Sequence, residues 1–297
     1  MSLSFRKIRV IINPNSGLGW SVPELIEAFV DHWDALDVDL AFQISQSPAD
    51  GKRKVERAIR DRVDCVFAVG GDGVVNSLGS VLAGTSTVLG VIPTGSGNGF
   101  ARHFNIPLDP VQAVERLRSG QVKAIDVGRV NGHFFCVTCS LGWDAQVVRS
   151  FEKSPIRGVL PYIFAGAIEL LDYKPVRFRF VIDHGPEMIF DRPIIFTVAN
   201  LSQYGGGARI APMACADDGQ MELVAVSSHH WQKVVPMMHQ LFAGNLSSIP
   251  EVHVHQFRHL KVIREAASPI QVDGELVEEV AEVEIDVTPA SMNVLIP

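Results

Sequence analysis

The chain lacks an excess of positive charge: 26 Lys and Arg stand against 33 Asp and Glu in 297 residues, a net charge of −7. That balance excludes a general nucleic-acid binder, so the expected partner is small and is not nucleic acid. Cysteine is scarce. The four, Cys65, Cys136, Cys139 and Cys215, are too few and too irregular for a disulfide framework, which fits a reducing, cytoplasmic setting. Cys136 and Cys139 form a CxxC within HFFCVTC, which reads as a strand. An offset of three there points the thiols to opposite faces, against a metal or redox pair. No opening segment has the charged, apolar and small-residue order of a signal peptide. The longest apolar stretch, VLPYIFAGAIELL from Val159, is interrupted by Pro161 and Glu169 and is too short to span a bilayer. Contact with a membrane surface stays open. Neither a Walker lysine motif nor a complete GxGxxG occurs, which sets aside the two commonest nucleotide cradles.

What is present first is alternation. Apolar runs at Lys7–Ile12, Val38–Ile44, Asp64–Val69 and Thr87–Ile92 read as strands. Helical spacing fills the intervals: Glu24–Leu36 behind Pro23, a helix opened by Ser47 and Pro48, Val74–Ala83, then Gly99–Phe104 and Pro110–Arg118. Such alternation predicts parallel strands with crossover helices. Near Lys123 the pattern changes to successive strands, at Lys123–Val130, His133–Ser140, Val176–Ile182, Ile194–Ala199, Met221–Val226, His253–Ile263 and Glu282–Val287. Val176, Phe178, Phe180 and Ile182 alternate as in a sheet with one buried face. Helices are expected around Val159–Leu171 and Trp231–Phe242. The fold class predicted is an α/β N-terminal domain with an open, mainly parallel sheet (residues 1–124), followed by a mostly antiparallel β domain (125–287). A tail from about 288 to 297 packs back onto the first, and a nucleotide cleft lies between the two.

Three glycine-bearing turns follow strands one, three and four: Asn13-Pro14-Asn15-Ser16-Gly17, Gly70-Gly71-Asp72-Gly73 and Pro93-Thr94-Gly95-Ser96-Gly97-Asn98-Gly99. In an open parallel sheet these lie along one rim, at the carboxyl ends of strands where ligands bind. Each leads to a helix whose first amides are unpaired and partly positive, and glycine lets an anion approach them. One such turn is most simply a turn. Three on one rim, carrying Asp72, Asn76 and Asn98, point to a di- or triphosphate.

GGDG before a helix, P-x-G-x-x-N-x-[FL]-A-R after it and N-P-x-[SA]-G before it resemble the diacylglycerol kinase catalytic-domain family, which includes bacterial lipid kinases and sphingosine kinases. The likeness continues through Leu141-Gly142-Trp143-Asp144-Ala145, Tyr204-Gly205-Gly206-Gly207, Ala211-Pro212, Asp217-Asp218-Gly219 and Asp273-Gly274-Glu275. It covers nearly the whole chain. The resemblance implies an ATP- and Mg²⁺-dependent kinase acting on a lipid hydroxyl, of diacylglycerol, phosphatidylglycerol or a sphingoid base. It places nucleotide at Asn13 through Gly17, Ser45, Gly70 through Gly73, Asn76, Thr94, Gly95, Ser96 and Asn98. It makes Asp273, with Glu275 in the same segment, the source of the catalytic base, and Asp72 an acid also given that role. It puts a structural Mg²⁺ at the side chain of Asp218 with backbone carbonyls nearby, at Cys215 and Gln220. An attacking alcohol needs a carboxylate to take its proton, and Mg²⁺ offsets charge on the phosphate oxygens. Taken alone, Asp273-Gly274 reads as a hairpin tip and the Asp218 turn as a plain type I turn.

Three positions depart from the family pattern: Val74 for Thr, Ser77 for Glu and Gly99 for Asp. A hydroxyl and two carboxylates are thereby absent near the phosphates, which leaves altered metal geometry, altered substrate choice or reduced activity open. A non-catalytic lipid or nucleotide sensor is one alternative reading. An NAD kinase-like enzyme is another, because GGDG also marks that group. Phe151–Leu171 is the candidate gate or membrane-contact helix, with an ordinary buried helix as the competing reading. His253 and His255 share a strand face, and they, like His229 and His230, are read as solvated rather than metal-binding. Peripheral membrane association and a homodimer stay open.

Overall fold

Strands apolar at every position need cover on both faces, and the first half of the chain supplies it by interleaving helices. The computed structural model describes residues 5–17, 19–34, 38–143, 145–146, 176–227 and 234–297. The chain divides into two compact units, Met1–Ile125 with Ala290–Pro297, and Asp126–Pro289. The expected helix at 159–171 and the pair His229-His230 lie outside the described residues.

The first unit runs β1 (Lys7–Ile12), α1 (Val22–Trp33), β2 (Asp39–Ile44), α2 (Pro48–Arg60), β3 (Cys65–Gly70), α3 (Asp72–Leu82), β4 (Val88–Pro93), α4 (Gly99–His103) and α5 (Pro110–Arg118). Its strands lie parallel in the order β4-β3-β1-β2. Every residue of β3 and β4 is buried. Prolines at the start of α2 and α5 follow Ser47 and Asp109, whose side chains accept from Asp50 N and Gln112 N, so sequence and cap agree. On α1, Trp33 meets Phe67 of β3 edge-on at 5.0 Å and donates its indole N–H to Val114 O of α5 at 3.0 Å, tying α1 to both. The strand β16 (Glu275–Ile296) ends in this unit, where Val294 pairs in parallel with Leu89 of β4.

The second unit is antiparallel. It receives β5 (Gln121–Val130), then contains β6 (His133–Phe135), β7 (Thr138–Ser140), β8 (Phe178–Ile182), β9 (Glu187–Phe190), β10 (Pro193–Ala199), the short pair β11 (Gln203–Gly205) and β12 (Ala208–Arg209), β13 (Met221–Ser227), α6 (Val234–Ala243), β14 (Val252–Phe257) and β15 (His259–Val272). The central order is β14-β13-β10-β7-β15. One face buries Cys139, Val198, Leu223 and Val272 with Phe178, Phe180 and Phe196. The other buries Ala199, Val224 and Val226 against Ile210, Leu241 and Leu246.

Two expected strands are broken, each by an aspartate. Residues 133–140 split into β6 and β7 because the Asp273 carboxylate accepts from Cys136 N, Val137 N and Thr138 N at 2.9, 2.8 and 2.9 Å. Residues 253–263 split into β14 and β15 because Asp183 Oδ1 accepts from Arg258 N and His259 N at 2.9 and 2.8 Å. Amides turned toward a carboxylate leave the ladder, and the strand ends. The pair Cys136 and Cys139 therefore straddles a break. Cys139 joins the core, while Cys136 Sγ lies 3.5 Å from Asp273 Oδ2.

Glu222 on β13 is 4% exposed; its Oε1 accepts from Gln256 Nε2 at 3.3 Å and its buried Oε2 has no partner. Burial pushes its carboxyl up to about 7, and the charge of Asp218 adds to this. The folded chain then holds this proton where the unfolded chain has released it, so stability falls as pH rises from the ordinary glutamate range through about 7. Glu222→Gln should leave stability unchanged at pH 5 and raise it by on the order of 2 kcal/mol at pH 8, read by urea unfolding; parallel pH profiles for the two proteins would contradict this.

Candidate functional site

In the first unit the strand ends are tied together before any side chain is considered. Asn13 N donates to Val69 O at 3.1 Å, Ser45 N to Ile12 O at 2.7 Å and Thr94 N to Gly70 O at 3.1 Å. The three glycine turns are therefore neighbours, and they touch. Gly17 has φ +69°, and a Cβ on it would stand 1.7 Å from Thr94 O. A Cβ on Gly95 would stand 2.5 Å from Gly71 Cα. Both are backbone contacts with no flexible atom to yield, so glycine is required at both by space, and at Gly17 by conformation as well.

Polar side chains lock the turns. Asn98, in the left-handed region at φ 51°, accepts from Gly95 N at 3.1 Å and donates to Gly95 O at 2.7 Å. Asn13 Oδ1 accepts from Asn15 N at 3.1 Å, and Ser45 Oγ donates to Ser47 O at 2.9 Å. Pro14, Asn15, Gly17 and Ser96 are exposed, whereas Ser16, Thr94 and Asn98 are buried. Asn76 lies half-buried on α3.

The expectation of unpaired amides at the helix after the third turn is corrected at Asp72. Its Oδ2 accepts from Gly99 N at 2.9 Å and its Oδ1 from Phe100 N at 3.1 Å, so the opening amides of α4 are already capped by a side chain. A carboxylate satisfies the same amides that an anion would need. Open donors remain elsewhere: the amides of Gly17, Gly71, Ser96 and Gly97 have no hydrogen bond among the described residues. Beside them Thr94 Oγ1 is buried without a partner. A buried, unanswered hydroxyl on one of three touching turns with open amides suits a polar ligand. Sequence reading had included Thr94 only as part of its turn; nothing local distinguishes its hydroxyl as unpartnered.

In the second unit Asp273 is 6% exposed, at φ 46°, with both oxygens taken by the three amides described above. Glu275 is exposed at the start of β16, opposite Val272. Asp218 Oδ1 accepts from Gln220 N at 3.0 Å, Cys215 Sγ donates to Asp217 Oδ1 at 3.3 Å, and Gly219 N donates to Asp126 Oδ2 at 2.7 Å. Among the described residues no three His, Cys, Asp or Glu side chains cluster so as to hold a metal ion. A Mg²⁺ at this turn would have the Asp218 carboxylate and otherwise backbone carbonyls and water, a set such a hard cation accepts.

Residues 7–130 match the diacylglycerol kinase catalytic domain, and residues 137–296 match the YegS C-terminal NAD kinase beta sandwich-like domain. A diacylglycerol kinase of Mycobacterium tuberculosis is 29% identical over 298 residues, covering 98% of this chain and 95% of the relative. A protein of Chromohalobacter salexigens named "Probable lipid kinase YegS-like" is 29% identical over 272 residues, covering 88% of this chain and 85% of its own. The crystal structure of a diacylglycerol kinase from Bacillus anthracis str. Sterne superposes with a TM-score of 0.72 at 19% identity, over 99% of this chain and 98% of that one, which shows the shared fold. With both units matched in order along the chain, this protein belongs to the diacylglycerol kinase catalytic-domain family, in the form that carries a YegS-type second domain.

Proposed function

We propose that the protein transfers the γ-phosphate of ATP to a hydroxyl of a lipid. The observation that carries this is the convergence of three glycine turns whose amides at Gly17, Gly71, Ser96 and Gly97 stand open around the unpartnered Thr94 hydroxyl. Amides of that kind hold phosphate oxygens without side-chain charge. The names of full-length relatives, a diacylglycerol kinase and a lipid kinase, support a lipid as acceptor. Mg²⁺ bound with the nucleotide would offset the charge on the phosphate oxygens. The chain's own contribution is to seat the phosphates, keep the turns rigid through Asn98 and Asp72, and provide a carboxylate for the acceptor's proton. For that last role Asp273 is the assignment, with Glu275 two residues on. A proton would enter at Oδ2, which accepts one amide and the weak Cys136 thiol contact, whereas Oδ1 accepts two amides. No helix among the described residues is long and apolar enough to cross a membrane; the enzyme would meet its substrate at the membrane surface.

Incubating the purified protein with Mg²⁺, labelled ATP and a total lipid extract should yield a labelled lipid. Label in NAD and not in lipid, or in neither, would overturn the assignment. Gly95→Ala should weaken ATP binding at least tenfold, because the turns must part to admit the methyl group, while the second unit's core is untouched; an unchanged titration would remove the phosphates from this rim.

Asp273→Asn should lower stability by about 1–3 kcal/mol, since one amide donor would then face an NH₂ group. Turnover per folded molecule should also fall at least a hundredfold if the carboxylate takes the proton. Undiminished turnover after correction for the folded fraction would leave Asp273 a purely structural residue.

A further inference from the structure

The segment between β6 and β7 is gripped on both sides. The amides of Cys136, Val137 and Thr138 go to the Asp273 carboxylate, and the carbonyls of the same three residues are taken as well. Asn200, immediately after β10 and 0% exposed, donates from Nδ2 to Cys136 O at 2.9 Å and to Asp126 O of β5 at 2.8 Å. The main-chain N–H groups of Asn200 and Leu201 donate to Val137 O at 3.0 and 3.2 Å, and Asp273 N donates to Thr138 O at 2.9 Å.

A peptide group is planar, so a carbonyl that is held fixes the direction of the next residue's N–H. Holding Cys136 O aims Val137 N–H, and holding Val137 O aims Thr138 N–H. These are the two amides that meet Asp273 Oδ1, at 2.8 and 2.9 Å. Oδ2 meets Cys136 N at 2.9 Å and the weak thiol contact at 3.5 Å. The plane that carries Cys136 N begins at Phe135, which belongs to the β5–β6 pair, so Asn200 does not set it. The carboxamide suits this task because it presents two N–H donors on one rigid plane, where an ionised aspartate or a leucine presents none. Its own Oδ1 is buried with no partner, an acceptor left unmet so that the donors can be placed.

We propose that Asn200 is a positioning residue for proton removal: its side chain, with the main chain beside it, commits Oδ1 of Asp273 to amides and leaves Oδ2 as the oxygen that takes the proton. As the acceptor's oxygen bonds to the γ-phosphorus and the bond to the leaving ADP breaks, the hydroxyl proton passes to Oδ2. The inference rests on the kinase reading, with Asp273 as base, for its purpose. The clamp itself is defined by the second unit alone.

Asn200→Ala removes the donor to Cys136 O and keeps both main-chain bonds to Val137 O, so it loosens Val137 N–H from Oδ1. Hydrogen bonds to the ionised form hold a carboxyl's proton affinity down, and losing one raises it. Since the base must be ionised to act, the acid limb of the kcat profile should move to higher pH by about half a unit or more. At neutral pH kcat should fall about tenfold through misplacement, with KM for ATP changed less than about twofold. The midpoint of the Asp273 carboxyl carbon, followed by NMR titration without lipid and assigned by its loss in Asp273→Asn, should move with the limb. The Cys136 thiol and Glu275, the titratable groups beside it, are unchanged in the variant. Should alanine not fold, Asn200→Ser keeps one hydroxyl donor and should move limb and midpoint the same way by less. A side chain that served only the fold would lower the melting temperature and leave limb and midpoint in place, and that result would overturn the proposal. So would a midpoint that moves while the limb does not, because Asp273 would then not be the base. Wild-type protein that labels no lipid, with a midpoint that Asn200→Ala moves, would sink the kinase reading and keep the clamp; labelled lipid with neither moved would keep the kinase and sink the clamp.

Discussion

A backbone N–H that leaves its ladder must find another acceptor, and in this chain aspartates answer repeatedly. Asp64 takes the amides of Arg6 and Lys7, Asp72 those of Gly99 and Phe100, Asp183 those of Arg258 and His259, and Asp273 those of residues 136 to 138. Each joins segments far apart in sequence, so these carboxylates set where strands stop and helices begin. The amides left open at Gly17, Gly71, Ser96 and Gly97 then stand out by contrast. Aspartates fill the amides at these strand and helix ends, whereas the glycine turns leave theirs open.

The glycine turns add a steric condition to this electrostatic one. Gly17 against Thr94 O and Gly95 against Gly71 Cα bring three loops to backbone contact. Close-packed backbones cannot shift independently, so the open amides keep fixed positions. Rigidity of that kind is what a phosphoryl-transfer site needs, because its main task is to hold a charged chain in line with the incoming oxygen.

Much of this could be read from the amino-acid order. Alternating apolar runs and helical spacing gave the parallel unit, and strict alternation at Phe178 and Phe180 gave the antiparallel one, because burial on one or two faces leaves a periodic trace. GGDG and the Asn98 turn marked the rim. What could not be read were events set by partners far along the chain. Nothing in HFFCVTC signals that Asp273, more than a hundred positions later, will break the strand, and nothing in GGDG says that Asp72 will accept the opening amides of α4. The hold of Asn200 on Asp126 O and Cys136 O is invisible for the same reason: three separate segments become one feature only once the sheet has formed.

The three departures from the family pattern take on a different weight once their places are known. A Cβ on Gly70 would stand 2.4 Å from the Val74 side chain, so Val74 lies over the turn as packing rather than as a group offered to phosphate. Gly99 gives its amide to Asp72, and a side chain there is not needed for that bond. Ser77 Oγ is buried without a partner, which keeps a polar atom on α3 where a longer acid is usual in the family. All three replacements alter side chains, and the main-chain donors of Val74 and Gly99 stay engaged within the fold. Capacity to hold phosphate through amides does not depend on those side chains, whereas the charge around a bound metal does. On the kinase reading proposed above, the departures would change the charge around a metal while leaving the amides able to meet phosphate.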